Sequence, residues 1–238
     1  MGEKTDEIEE IIEAYDKLVR NIDSKATESE NGRAYGGIIR AGKGKLVESI
    51  AKTLVEISWK RLGQNPNRIQ MIGRQIKIPI NKEYIKKLED EEVKEHINNN
   101  LENYYYPYKP DVMVSVDGKP VLEIECKAYT ENAMLKRILV DVTLLKTVFN
   151  EIKFILLELE SQLGGDFSEL KDVNIGSPST HTLLSYFEID LNIITLLEGE
   201  RKVDKPIHKA EFFKPLKKES LEKAINVISD ILEEFCVK

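Results

Sequence analysis

Residues 108–127 read YKPDVMVSVDGKPVLEIECK, and the alternation in this stretch sets the fold. Val112, Val114 and Val116 alternate with Met113 and Ser115, Asp117-Gly118 supplies a two-residue turn, and Val121 to Lys127 alternates again, which predicts a β-hairpin. Side chains two apart on a strand share a face. Val121, Glu123, Glu125 and Lys127 therefore lie on one side, and Leu122, Ile124 and Cys126 on the other. Closing the hairpin carries Asp111, at the start of the first strand, towards the end of the second. Asp111, Glu125 and Lys127 are expected to converge there.

Two carboxylates and an ammonium at one sheet end have two readings. A solvated polar face would hold cross-strand Glu–Lys pairs worth about 0.2–1 kcal/mol each. Hard oxygen ligands at this spacing also suit Mg²⁺, which takes one or two carboxylates in an octahedral shell and leaves the other positions to water and phosphate. Pro110-Asp111, followed after a short turn by Glu125-Cys126-Lys127, resembles the PD-(D/E)XK nuclease signature, and the whole chain is similar to the type II restriction endonucleases of that superfamily. The resemblance covers Lys45 to Leu159 best. It implies an α/β fold with a restriction-endonuclease-like αβββαβ core, a mixed sheet flanked by helices. It also implies Asp111 and Glu125 as Mg²⁺ ligands, the Cys126 carbonyl as a third, and Lys127 as the group that orients and helps deprotonate the attacking water. Glu123, on the same face, reads either as a ligand of a second metal or as a surface carboxylate. Glu48 stands early in the helix before the sheet, where similar nucleases often add a carboxylate; its other reading is an i,i+4 partner of Lys52.

At 238 residues, 41% hydrophobic and 32% charged, the chain suits one sizeable soluble domain. No apolar run approaches the ~20 residues that span a bilayer, and the acidic start MGEKTDEIEE is unlike a signal peptide, so a cytoplasmic protein with no membrane partner is expected. Cys126 and Cys236 form no zinc-ligand cluster. The net charge of -7 hides an asymmetry: from Arg33 to Lys87 thirteen cations face three acids, a balance of +10, which leaves -17 elsewhere. Such a basic segment suits phosphate contacts, with Arg40, Lys43 and Lys45 the leading candidates, or else scattered solvated lysines.

Taken in order, residues 5–20 form an amphipathic helix and Arg20 to Gly44 a glycine-rich loop or arm. Gly37 to Lys43 spells GxxxxGK, but Gly44 stands where a P-loop needs a hydroxyl and no strand precedes it, which excludes that reading. A helix follows at Lys45 to Arg61, a strand at Arg74 to Ile80, and a helix from Asn81 to about Ile97. The four tyrosines of Leu101 to Tyr108 read as packing groups or as base-stacking groups. After the hairpin come a helix at Glu131 to Phe149 and an apolar strand at Ile152 to Leu159, covered on both faces in a parallel sheet. This order of elements matches the αβββαβ core. A long polar loop (161–182), a strand at Ile189 to Leu197 and a closing helix at Glu219 to Phe235 complete the chain.

The organisation is read as a single nuclease domain over 1–238: an N-terminal helix and glycine-rich arm at 1–44, a catalytic core at 45–159, and a recognition loop, strand and C-terminal helix at 160–238. His96, His181 and His208 lack the spacing of other nuclease chemistries. The expected function is Mg²⁺-dependent, sequence-specific cleavage of double-stranded DNA. A structure-specific repair nuclease or resolvase of the same superfamily, and a non-catalytic DNA-binding protein of this fold, are the alternatives. Base reading is assigned to Gln162, Asp166, Asn174, Ser179 and His181 in the polar loop. One catalytic trio per chain calls for a homodimer to cut two strands, with helices 5–20 and 219–235 either forming the interface or packing on their own domain.

Overall fold

The computed structural model describes residues 6–27, 32–170 and 174–236. Helix α1 is Glu7–Thr27, α2 Gly32–Arg61, β1 Ile69–Ile72, β2 Ile76–Pro79, α3 Lys82–Lys86, α4 Glu91–Asn99 and β3 Tyr105–Tyr108. Then follow β4 Val112–Val116, β5 Lys119–Glu131, α5 Asn132–Lys146, β6 Lys153–Gln162, α6 Pro178–Ser185, β7 Leu191–Thr195 and α7 Lys218–Glu233. Five strands make one sheet in the order β1-β4-β5-β6-β7, and β2 and β3 make a second, two-stranded one. β1–β4 and β4–β5 are antiparallel pairs, while β5–β6 and β6–β7 are parallel pairs. A parallel pair needs a crossover, and α5 supplies it between β5 and β6. The fold is a mixed α/β sheet flanked by helices, and α2, β1, β4, β5, α5 and β6 follow one another in the αβββαβ order.

The hairpin alternation sorts the two sides of the sheet. Leu122, Ile124 and Cys126 of β5 join Val112 and Val114 against the apolar stripes of α1, α2 and α7, including Tyr15, Leu54, Trp59 and Ile228. On the opposite side Met113, Phe154 and Leu156 meet Leu135, Leu139 and Leu145 of α5. Asp117 and Gly118 both take positive φ, 50° and 80°, as a two-residue hairpin turn of this type requires. Arg68 grips the turn through Asp117 Oδ2 at 2.7 Å and donates to the Phe235 carbonyl at 3.2 Å, tying β1, the hairpin and the chain end together.

Several expectations are revised. Residues 32–44 are helical rather than a loop: α1 and α2 form an antiparallel pair, with Glu7 bonded to Lys60 at one end and Ile22 packed on Gly42 at the other. A Cβ at Gly42 would lie 2.8 Å from Ile22 Cδ1, so this glycine serves close helix contact. The alternating segment 74–80 does hold a strand, β2, but it pairs with β3 outside the main sheet; the short β1 takes the place expected of it beside β4. The helix expected over 81–97 is two helices, because Asp90 accepts from the Glu92 and Val93 amides and starts a second one. Within the 161–182 loop Ser177 caps α6 with Pro178 at its first position. Of the two readings of helices 5–20 and 219–235, interface or packing on their own domain, α1 and α7 show the second: their apolar stripes are buried in the domain. No helix among the described residues is long and apolar enough to cross a membrane.

β6 is buried without a break from Phe154 to Ser161, and Glu158 lies inside that run with a hydrogen bond from Thr195 Oγ1 at 2.9 Å. Burial pushes its carboxyl from 4.5 up to about 7. The folded chain thus holds the proton more tightly than the unfolded chain, so the contribution is full below the unfolded value and is lost as pH rises through about 7. The difference corresponds to roughly 3 kcal/mol. Denaturant unfolding at ~pH 5 and ~pH 8 is expected to show the parent losing stability at the higher pH, and Glu158→Gln removing the Glu158 share of that loss, while Glu123 and Glu125, also raised, keep theirs.

Candidate active site

Asp111 stands between Pro110, which is buried, and the first residue of β4. Its Oδ2 accepts the Cys126 amide at 2.9 Å, so the β5 backbone itself sets the carboxylate's position. Lys127 reaches back along its strand. Its Nζ lies 3.3 Å from Asp111 Oδ2 and 3.2 Å from the Cys126 carbonyl, and it also donates to Glu125 Oε1. The side chains of Asp111, Glu125 and Lys127 are 28%, 16% and 24% exposed, so the trio is partly open to solvent. Burial raises the Glu125 carboxyl above its ordinary value. Burial acts against the Lys127 ammonium, but Glu125 and Asp111 outweigh it and leave the lysine pKa raised.

A further layer lies behind the trio. Glu123 is fully buried, accepts from the Tyr108 hydroxyl at 3.0 Å through Oε1, and has no hydrogen bond at Oε2. Burial, reinforced by Glu125, pushes its carboxyl well above the ordinary range. The surface-carboxylate reading of Glu123 is therefore corrected. Asp141 of α5 accepts from the Tyr106 hydroxyl at 3.2 Å and acts electrostatically on Glu125. Sequence reasoning passed over Asp141; the available signal was an acid set between the core residues Ile138, Leu139 and Val142.

Two carboxylates and a backbone carbonyl form a hard-oxygen donor set that fits a divalent cation keeping several waters. Among the described residues no three His, Cys, Asp or Glu side chains make a closed metal cage. Glu48 is half-buried on α2, which packs against the even-numbered face of β5, and among the described residues it has no hydrogen bond to the trio.

The other candidates are scattered. Lys43 is 8% exposed, with burial lowering its pKa to about 8 and Glu160 acting in the other direction, so its assignment to a phosphate contact is corrected. Lys45 is exposed, and the Arg40 side chain lies outside what is described. Lys60, Arg61 and Arg68 pair with Glu7, Glu222 and Asp117, which reduces the free charge of the basic segment. In the polar loop, of which 171–173 lie outside the described residues, Gln162 accepts from Arg201, Asp166 from Ser168 and Asn174 from the Gly176 amide. Their acceptor oxygens shape the loop. Ser179 and His181 are exposed, the latter bonded to the Ile175 carbonyl.

No protein-family model matches the chain. It is 50% identical over 233 residues to the type II restriction enzyme DdeI of Desulfomicrobium norvegicum, covering 96% of this chain and 97% of that one. Among solved structures it resembles the native BbvCI A2B2 tetramer, with 11% identity, a TM-score of 0.38, and coverage of 97% of this chain and 89% of the other.

The burial of Lys43 and the exposure of Lys45 predict opposite outcomes in a salt titration of DNA binding. Lys43→Met is expected to leave the slope of log K against log salt unchanged, and Lys45→Ala to reduce it by about 0.9. Fluorescence anisotropy over a range of ionic strengths measures both.

Proposed function

The chain belongs to the type II restriction enzymes, and we propose that it hydrolyses both strands of double-stranded DNA through Asp111, Glu125 and Lys127 with Mg²⁺ as its metal. As a type II restriction enzyme it is a site-specific deoxyribonuclease. The observation that supports the site is the Lys127 ammonium lying against both Asp111 and Glu125 at the sheet end.

Asp111 and Glu125, with the Cys126 carbonyl, would hold the cation. When bound, a divalent cation polarises the scissile phosphate and lowers the pKa of a coordinated water. The Cys126 amide keeps Asp111 aimed, because a carboxylate that already accepts one backbone bond has little freedom to rotate. Lys127 sits where it orients the attacking water and offsets the charge that builds on the phosphoryl oxygens. The partial exposure of the trio leaves room for a phosphodiester to reach it.

Asp111→Ala and Lys127→Ala are each expected to reduce cleavage of phage DNA by at least about 10³-fold while DNA binding remains measurable. Discrete fragments with the parent, and none with either variant, are the expected gel pattern. Undiminished cutting by either purified variant would remove the site assignment.

A single Asp111, Glu125, Lys127 set cuts one strand, so a twofold pair of chains on a palindromic sequence is part of the same proposal. Light scattering of the DNA complex should give the mass of two chains. A strict monomer that makes double-strand breaks would rule the pair out.

A further inference from the structure

The two-stranded sheet stands apart from the main sheet, yet its inner face reaches the site. Ile76 pairs with Tyr108 and Ile78 with Tyr106, so these four side chains share one face. Ile78 and Tyr108 are buried there in the core that contains α5. The Tyr108 hydroxyl donates to Glu123 of β5 at 3.0 Å, and the Tyr106 hydroxyl donates to Asp141 of α5 at 3.2 Å. Those two carboxylates flank Glu125: Glu123 precedes it by two residues on one face of β5, and Asp141 acts on it from the helix opposite. Three residues beyond Tyr108 the chain arrives at Asp111.

We propose that Tyr106 and Tyr108 are positioning residues for the metal site, their hydroxyls tethering β3 to α5 and β5 and thereby fixing where Asp111 stands relative to Glu125. The proposal rests on the reading of Asp111 and Glu125 as the metal ligands. The link between tether and ligand is short and stiff. Lys109 and Pro110 separate Tyr108 from Asp111, Pro110 is buried, and a proline ring fixes φ. A displacement of β3 therefore passes to Asp111 instead of being absorbed. A magnesium shell tolerates little of it, since its ligands sit at about 2.0–2.1 Å in near-octahedral geometry. The two hydroxyls also differ from ordinary core hydrogen bonds in their partners. Both end on carboxylates beside Glu125, and among the described residues Tyr108 is the hydrogen-bond partner of a buried Glu123 whose second oxygen has none.

The test uses the full chain and Mn²⁺ alone, with free Mn²⁺ read by electron paramagnetic resonance, alongside thermal melting and the Mg²⁺ dependence of phage DNA cleavage. Tyr106→Phe and Tyr108→Phe are each expected to weaken Mn²⁺ binding about 10-fold or more, in the range of outer-shell partners of metal ligands. The Mg²⁺ midpoint for cleavage should rise in step, with most of the rate regained at saturating metal. Tyr106→Phe added to Asp141→Leu should weaken binding no further than Asp141→Leu alone, because both remove one bond. Unchanged Mn²⁺ affinity in the Phe variants, with or without a lower melting temperature, would overturn the proposal, as would additive losses in the pair. If Tyr108→Phe does not fold, Tyr106, which is 45% exposed, carries the test. Asp111→Ala serves as the reference: if it binds Mn²⁺ as the parent does, the metal reading itself fails, a result separate from failure of the tether.

Discussion

Asp111, Glu123 and Glu125 cannot share one end of a sheet without a cation among them. Like charges in a protein interior repel far more strongly than in water, and each buried carboxylate also carries a desolvation cost. Lys127 answers the constraint for Asp111 and Glu125 by lying against both, and the Cys126 amide adds a fixed dipole at Asp111. Glu123 lies deeper, with a tyrosine hydroxyl in place of a cation, and burial together with Glu125 raises its pKa. The rest of the hairpin follows from this placement. From Leu122 to Lys127 the odd positions carry the charges and the even positions supply the packing, in the register that follows the one-residue shift between Val114 and Ser115.

The helices divide accordingly. α1, α2 and α7 cover the apolar side of the sheet, while α5 and the two-stranded sheet cover the side with the carboxylates. Charge is handled in a similar way. Cations of the basic segment meet acids of α1, the hairpin turn and α7, so the apparent asymmetry of the chain is partly cancelled by folding. The exposed lysines and arginines that remain, such as Lys45, Arg74 and Lys82, form a sparser surface than composition suggests.

Strand alternation in the hairpin, the continuous apolar run of β6, and the helical stripes of α5 and α7 were legible because each signal is local and complete within a few residues. The convergence of Asp111, Glu125 and Lys127 was legible from the hairpin itself, but the one-residue shift of register between Val114 and Ser115, which leaves Val121 unpaired and packed on the apolar side with Leu122, was not. Pairing across long separations was not. Nothing local in Ile69–Ile72 says that it, rather than the better-patterned Ile76–Pro79, lies beside β4. Gly42 misled because a glycine in a loop and a glycine under a neighbouring helix look alike in sequence. Asp141, Tyr106 and Tyr108 gave no periodic signal, and their roles exist only once α5, β3 and β5 are assembled.

Ile72 and Met113 are paired neighbours in the main sheet, so the 40 residues between them leave and return at one point. The excursion contains β2, α3, α4 and β3, and only β3 is bonded to the carboxylate layer. Closing a loop becomes harder only logarithmically with its length, by about 0.6 kcal/mol for each doubling. The outer part of the excursion, around α3 and α4, is thus a place where related chains can gain or lose whole segments while the sheet keeps its register.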